Sequence, residues 1–349
     1  MIKVFLASLL TFVATSVSAQ TYVVTDLGSF GGTYTIAKSV NDAGQVVGQG
    51  YTTGDAAAHA FLYSGGTLYD LNALGTSGNS ANGINSSGDI VGTTGGASGF
   101  LYSGGSTTSL TNFATPRAIN SSGTVVGENS LTLTTYSGGT VNYLPYSAAG
   151  YDINTAGTIV GTAYFSGLGG PAHAFRYSTA GGMVDLMPGT LYSTTAVAIN
   201  AAGNAVGSDN GGYMALLFNG ASVINLGTLG GSYAGAHDIN DFDQIVGYST
   251  TSGGQSHAFL YSSGIMTDLN PMITMPAGWT LTDAVGINNN GLIIGLGTSG
   301  GITHSFLLTP VPEPSKYAVF SGLAALMLAA WRRRAKDSAS ADPNPISRV

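Results

Sequence analysis

Cysteine is absent from the 349-residue chain, and that removes disulfide scaffolds, thiol catalysis and cysteine-based zinc sites together. Charge is scarce as well: Asp, Glu, Lys and Arg make up 8% of the residues, against about 25% in an ordinary soluble domain. Basic charge is scarcest in the body of the chain. Between Gln20 and Thr309 stand Lys38, Arg117 and Arg176 against 14 acidic residues, 3 − 14 = −11. Such a body cannot neutralise a row of phosphates, so nucleic acid is excluded as a partner. Proline is limited to 11 residues and glycine shows no three-residue period, which excludes collagen. The apolar share, 44%, is ordinary and argues against a disordered chain. The body holds no Gly-x-Ser-x-Gly, no His-Glu-x-x-His and no glycine loop leading into a helix that could cradle phosphate.

Glycine is what the chain has in excess, 53 residues, about twice ordinary usage, and it demands many tight turns. The turns fall into a repeat. The pattern [VI]-N-x-x-G-x-x-[VI]-G occurs seven times, anchored at Asn41, Asn85, Asn120, Asn154, Asn200, Asn240 and Asn288, with Asp243 replacing the first glycine of the sixth copy. The intervals of 44, 35, 34, 46, 40 and 48 residues suit propellers and solenoids. Asn-x-x-Gly between β-branched residues is a hairpin turn. The hairpin supplies two strands, a third follows, as in His59-Ala-Phe-Leu-Tyr63, His173-Ala-Phe-Arg-Tyr177 and His257-Ala-Phe-Leu-Tyr261, and then a fourth bearing Asp-Leu, as at Asp70, Asp185 and Asp268.

The seventh Asp-Leu does not follow His304. It lies at the other end of the body, as Asp26-Leu27. That offset predicts an all-β, seven-bladed β-propeller closed by the N-terminal strand, which removes exposed sheet edges. The alternative is an open β-solenoid, which would need terminal caps. The units resemble the HAF repeat of exported bacterial proteins, named for the motif at His59, His173 and His257; the resemblance brings no established activity.

Both termini read as addresses. Met1–Ala19 has Lys3, an apolar run and small residues before Gln20, the pattern of a secretory signal peptide. At the other end Val311, Pro312, Glu313 and Pro314 precede an apolar stretch, 317–331, and then Arg332, Arg333 and Arg334. This order resembles the PEP-CTERM sorting signal of Gram-negative bacteria. The resemblance implies a single C-terminal transmembrane helix through 317–331, handling by an exosortase-type enzyme, and delivery to the cell surface or to a matrix of extracellular polysaccharide. The expected division is a signal peptide over 1–19, a propeller over 20–309, the sorting segment over 310–335 and a disordered tail over 336–349.

Four of the five histidines share one repeat position, and each such repeat has Asp in its fourth strand: His59 with Asp70, His173 with Asp185, His257 with Asp268 and, through ring closure, His304 with Asp26. Repeats with Ser98, Thr132 or Met214 at that position have Ser109, Tyr143 or Asn225 instead. A half-buried carboxylate needs a donor, so these are expected to be structural pairs within about 4 Å rather than four copies of a catalytic site. In repeat six, Asp238, Asn240, Asp241 and Asp243 are a weak calcium candidate beside His237; otherwise no metal, cofactor or catalytic residue is expected. Trp279 either stacks on a sugar or packs under a loop. The functional expectation is a non-enzymatic exported surface or matrix protein, polysaccharide-associated. The alternatives are a polysaccharide hydrolase or lyase acting at the channel mouth, for which repeat six is the best candidate, and a lectin with one site per blade.

Overall fold

The computed structural model describes residues 20–71, 79–95, 98–167, 169–209, 212–220, 222–273, 278–312 and Arg332. The chain divides into two units, Thr21–Pro310 and a second formed by Met1–Gln20 with Val311–Val349. In the second unit the Gln20 side-chain amide donates to the Val311 carbonyl at 3.0 Å. The signal peptide, Glu313, Pro314, Arg333, Arg334 and the 317–331 stretch lie outside the described residues.

Among its described residues, Thr21–Pro310 is built of antiparallel sheets with two single-turn 3₁₀ segments and a few isolated parallel bridges. Each repeat opens with an inner strand ending just before its anchor asparagine, as in Ser80–Ile84 before Asn85. There the Asn85 carbonyl accepts Gly88 N–H at 3.1 Å, and its side-chain oxygen accepts Ser87 and Asp89 N–H at 3.0 and 2.9 Å. Gly88 takes φ +83, the left-handed conformation that returns the chain into the next strand. The Val-Val pair that follows faces two ways. In repeat one Val46 packs with Ile294 and Leu307 of repeat seven, whereas Val47 packs with Ile84, Ile90 and Phe100 of repeat two. Core therefore lies between neighbouring sheets, and both valines are fully buried. Burying a side chain of this size contributes about 1.5–3 kcal/mol.

The anchor asparagines form a circle. Each side-chain amide donates to the backbone carbonyl of the next anchor: Asn41 to Asn85, Asn85 to Asn120, Asn120 to Asn154, Asn154 to Asn200, Asn200 to Asn240, Asn240 to Asn288, and Asn288 back to Asn41, at 2.8–3.2 Å. All seven are buried. Closure is repeated at the periphery, where the first strand, Tyr22–Asp26, pairs antiparallel with the last, Ile302–Pro310, Tyr22 opposite Pro310 and Asp26 opposite Phe306. This pairing rules out the open solenoid.

The expectation of seven separate blades plus a C-terminal transmembrane helix needs correction on both counts. Hydrogen bonding gathers the strands into six sheets, five of four strands and one of seven. The seven-stranded sheet arises because one 14-residue strand, Thr140–Ile153, is the outer strand of repeat three and the inner strand of repeat four. Linker length does not set this, because Tyr143 to Asn154 spans as many residues as Ser109 to Asn120, where the chain turns between two strands. Among the described residues no helix is long and apolar enough to cross a membrane.

Two changes test the closure. Deleting Thr21–Leu27 leaves the Ile302–Pro310 strand as an open edge; a clear fall in melting temperature with aggregation is expected, and unchanged melting would show that the seam contributes nothing. Asn120→Ala leaves Ser122 N–H, Thr124 N–H and the Asn154 carbonyl without their partner and should cost about 3 kcal/mol in denaturant unfolding.

Candidate functional site

Every repeat has the same irregularity three residues before its anchor. The inner strand slips by one residue against its neighbour there, a β-bulge between Ala37 and Ser39, Ala81 and Gly83, Pro116 and Ala118, Gly150 and Asp152, Ala196 and Ala198, Ala236 and Asp238, and Ala284 and Gly286. The final glycine of the repeat motif is what permits it. A Cβ on Gly48 would overlap the Ile36 carbonyl, and one on Gly161 the Ala149 carbonyl, with the same obstruction in the other five copies. A bulge re-aims the extra side chain. Here the seven extra residues are Lys38, Asn82, Arg117, Tyr151, Val197, His237 and Val285, and all line one central cavity of about 150 Å³.

The ring of bulged residues is symmetric in backbone and asymmetric in chemistry. Lys38 donates to Ser80 Oγ at 2.7 Å and Asn82 Oδ1 at 3.0 Å; burial, then Arg117, hold its pKa below the ordinary lysine range. Burial works against the Arg117 charge, but a bidentate pair with Glu128, at 2.6 and 2.8 Å, outweighs it and raises the pKa. The same guanidinium lies 4.6 Å over the Tyr151 ring. Across the cavity, Asp152 joins adjacent inner strands by accepting Ile153 and Ile199 N–H, both at 2.8 Å. Asp238 accepts Ile239 and Ile287 N–H in the same way. Burial pushes Asp152 up to about 6 and Asp238 up to about 7 against the pull of those N–H groups, Asp152 adding to the push on Asp238.

His237 Nε2 stands 3.2 Å from Asp283 Oδ1, yet the approach lacks hydrogen-bond alignment and both atoms are sealed from solvent. Burial lowers the histidine pKa, but Asp283 and then Asp238 outweigh it and leave it raised.

The four repeated His–Asp pairs are present, Nδ1 to Oδ2: His59–Asp70 at 2.7 Å, His173–Asp185 at 2.8 Å, His257–Asp268 at 2.7 Å and His304–Asp26 at 2.9 Å. Where the residue two positions on is described, the second carboxylate oxygen accepts its N–H: Asp26 from Gly28, Asp185 from Met187 and Asp268 from Asn270. Asn225, whose repeat has no histidine, keeps that turn bond to Gly227. Rings lie beside three of the imidazoles: Phe30 by His59, Phe165 by His173 and Trp279 by His304. These groups hold outer strands to their neighbours, away from the channel.

The calcium candidate disperses. Asp238 faces the cavity, Asn240 belongs to the asparagine circle, Asp241 accepts Ala201 N–H, and Asp243 accepts the side-chain amides of Asn200 and Asn204. Among the described residues no cluster of three or more metal-ligating side chains is present. Of the sorting residues, Val311, Pro312 and Arg332 are described and take no part in this site.

No family model matches the chain, and no curated protein matches it. Among solved structures, YCF48 bound to D1 peptide superposes with a TM-score of 0.56 at 13% identity, over 85% of this chain and 98% of that one. TolB from Acinetobacter baumannii superposes with a TM-score of 0.40 at 13% identity, over 77% of this chain and 64% of that one. The first likeness establishes the β-propeller fold.

The sequence reading missed a strip outside the repeat motif. Asp26-Leu-Gly-Ser-Phe-Gly-Gly-Thr-Tyr34 recurs as Asn225-Leu-Gly-Thr-Leu-Gly-Gly-Ser-Tyr233, a similarity that comparison of the linkers would have found. The second copy sets Tyr233 against Tyr213, ring centroids 4.9 Å apart, with 42% and 55% exposure. From there the aromatic surface runs inward. Tyr248 Oη sits under Gly212, and the Tyr248 ring lies 5.5 Å from that of His237. Burial, then Asp283 and Asp209, raise the Tyr248 pKa. Repeats five to seven thus join an exposed tyrosine pair to the channel mouth.

The raised carboxyls give stability a pH slope. Between about pH 4 and pH 7 the folded state binds more protons at Asp152 and Asp238 than the unfolded chain, so their contribution is present at low pH and lost as pH rises; the raised His237 acts in the same direction. Melting should fall from about pH 5 to about pH 8, by about 1–3 kcal/mol, and Asp152→Asn with Asp238→Asn should flatten the profile. A rise over that range would mean that the N–H groups, not burial, dominate.

Proposed function

We propose that the protein is a non-enzymatic, exported surface or matrix module that binds extracellular polysaccharide on the channel face of its propeller. Export and handling by an exosortase-type enzyme are supported by the residue pattern at both termini and by the resemblance of Val311–Pro314 and Arg332–Arg334 to a sorting signal. Binding is carried by one observation, the solvent-facing Tyr213–Tyr233 pair leading to the channel. Tyrosine offers an apolar ring face together with a polar tip, which suits sugar rings that are apolar on one side and hydroxylated at the edge. Such aromatics are not repeated at every equivalent position, so a single asymmetric site is favoured over one site per repeat.

The two carboxyls with raised pKa in one cavity favour a second reading, hydrolysis or elimination at the channel mouth. Binding is preferred because each carboxyl already joins two inner strands by accepting two backbone N–H groups.

A glycan array probed with residues 20–309, with and without calcium, tests both. Binding unaffected by calcium is expected, with about tenfold loss in Tyr213→Ala and Tyr233→Ala. Release of new reducing ends, abolished in Asp238→Asn, would establish the enzyme instead; silence on every glycan would reject binding.

A further inference from the structure

The charged residues of the body are unevenly distributed around the ring. After Arg176 the chain has no lysine or arginine until Lys316, while Asp185, Asp209, Asp238, Asp241, Asp243, Asp268 and Asp283 fall in that interval. Repeats five to seven, which carry the tyrosine strip and all of these acids but Asp185, therefore have no lysine or arginine, and all three basic residues of the body lie in repeats one to four. Two of these acids are placed along the strip itself. Asp209 accepts Tyr213 N–H at 2.7 Å and Met214 N–H at 3.0 Å through Oδ1 alone. Asp283 presents Oδ1 beside His237 Nε2 with neither atom in an aligned hydrogen bond.

Resting on the polysaccharide reading above, we propose that the ligand of this strip is an amino-sugar polymer carrying free, protonated amines. The ring faces of Tyr213 and Tyr233 suit both demands of such a ligand: they stack on pyranose faces and they attract a cation through the ring quadrupole. Asp209 then meets an ammonium group of the polymer, while Asp283, sealed beside His237, contributes through its field. A polyanionic glycan rich in uronate is repelled by the same field. A basic peptide or polyamine satisfies the charge but makes no use of two adjacent ring faces, so the sugar polymer is favoured.

The test compares glucosamine hexamer, N-acetylglucosamine hexamer, a uronate hexamer and a lysine hexamer by calorimetry on the full body. The glucosamine hexamer is expected to bind at least about tenfold more tightly than the acetylated one, with the advantage shrinking between about 50 mM and about 300 mM salt. Asp209→Asn should reduce that advantage without changing the affinity for the acetylated hexamer, while Tyr233→Ala should weaken both; a circular dichroism melt of each variant separates these losses from unfolding. Equal binding of the two hexamers, or tighter binding of the uronate, overturns the amine inference and leaves the polysaccharide reading standing. Binding of the lysine hexamer alone overturns the sugar reading, and binding of none overturns both.

Discussion

Seven side-chain amides pointing one way around a circle are the constraint on which this propeller rests. An anchor asparagine has two tasks that no other side chain combines at that length. Its carbonyl oxygen closes its own hairpin by accepting two backbone N–H groups, as Asn120 does from Ser122 and Thr124, and its NH₂ reaches the carbonyl of the next anchor. Aspartate could do the first and not the second, because an ionised carboxylate has no donor. The local turn and the global ring are thus held by the same residue. An asparagine lost from the circle leaves donors and acceptors unsatisfied in two repeats at once, in a place closed to water.

The second constraint follows from the first. With each anchor fixed against its neighbours, the inner strands converge, and the bulge three residues earlier turns one side chain per repeat toward the axis. The motif's last glycine allows the bulge to form, because the strand opposite must pass over a carbonyl with no Cβ in the way. Glycine excess in this chain is therefore of two kinds: turn glycines in the left-handed region, such as Gly88, and contact glycines in ordinary strand conformation, such as Gly161. Asp243 shows the difference. It replaces a turn glycine, takes φ +57, and in exchange its carboxylate receives the Asn200 and Asn204 amides of the preceding repeat.

Much of this was legible in the residues alone. The anchors, the Val-Val-Gly strands and the displaced Asp26-Leu27 specify a ring closed by its first strand, and the co-occurrence of His and Asp specifies four pairs that the structure holds at 2.7–2.9 Å. Other features were not legible because no residue pattern marks them. The merging of two repeats through Thr140–Ile153 has no length signal, since Tyr143 to Asn154 spans as many residues as Ser109 to Asn120, where the chain turns. The bulge is invisible for a related reason: its extra residue is Lys, Asn, Arg, Tyr, Val or His, so no residue type marks it, and only the glycine opposite betrays it. The strip through Tyr213, Tyr233 and Tyr248 draws on linker residues that alignment on the repeat sets aside.

Symmetry separates scaffold from function here. Whatever recurs in every repeat, the asparagine circle, the contact glycine and the buried valines, is required by the ring and says nothing about a ligand. The outer His–Asp pairs recur in four repeats with the same atoms in contact, and they belong to the same class. What departs from the repeat has no such explanation. His237 meets Asp283 through Nε2 on an inner strand, where the other histidines use Nδ1 on the strand next to the outermost. Asp152 and Asp238 occupy a position where other repeats have Gly, Ala or Ser, so the ring closes without a carboxylate there in five repeats of seven. These departures cluster in repeats four to seven, on the side of the ring that has lost its basic residues after Arg176. A propeller that served only as a spacer would have no reason to collect its irregular acids, its unaligned imidazole and the Tyr213–Tyr233 pair on one arc.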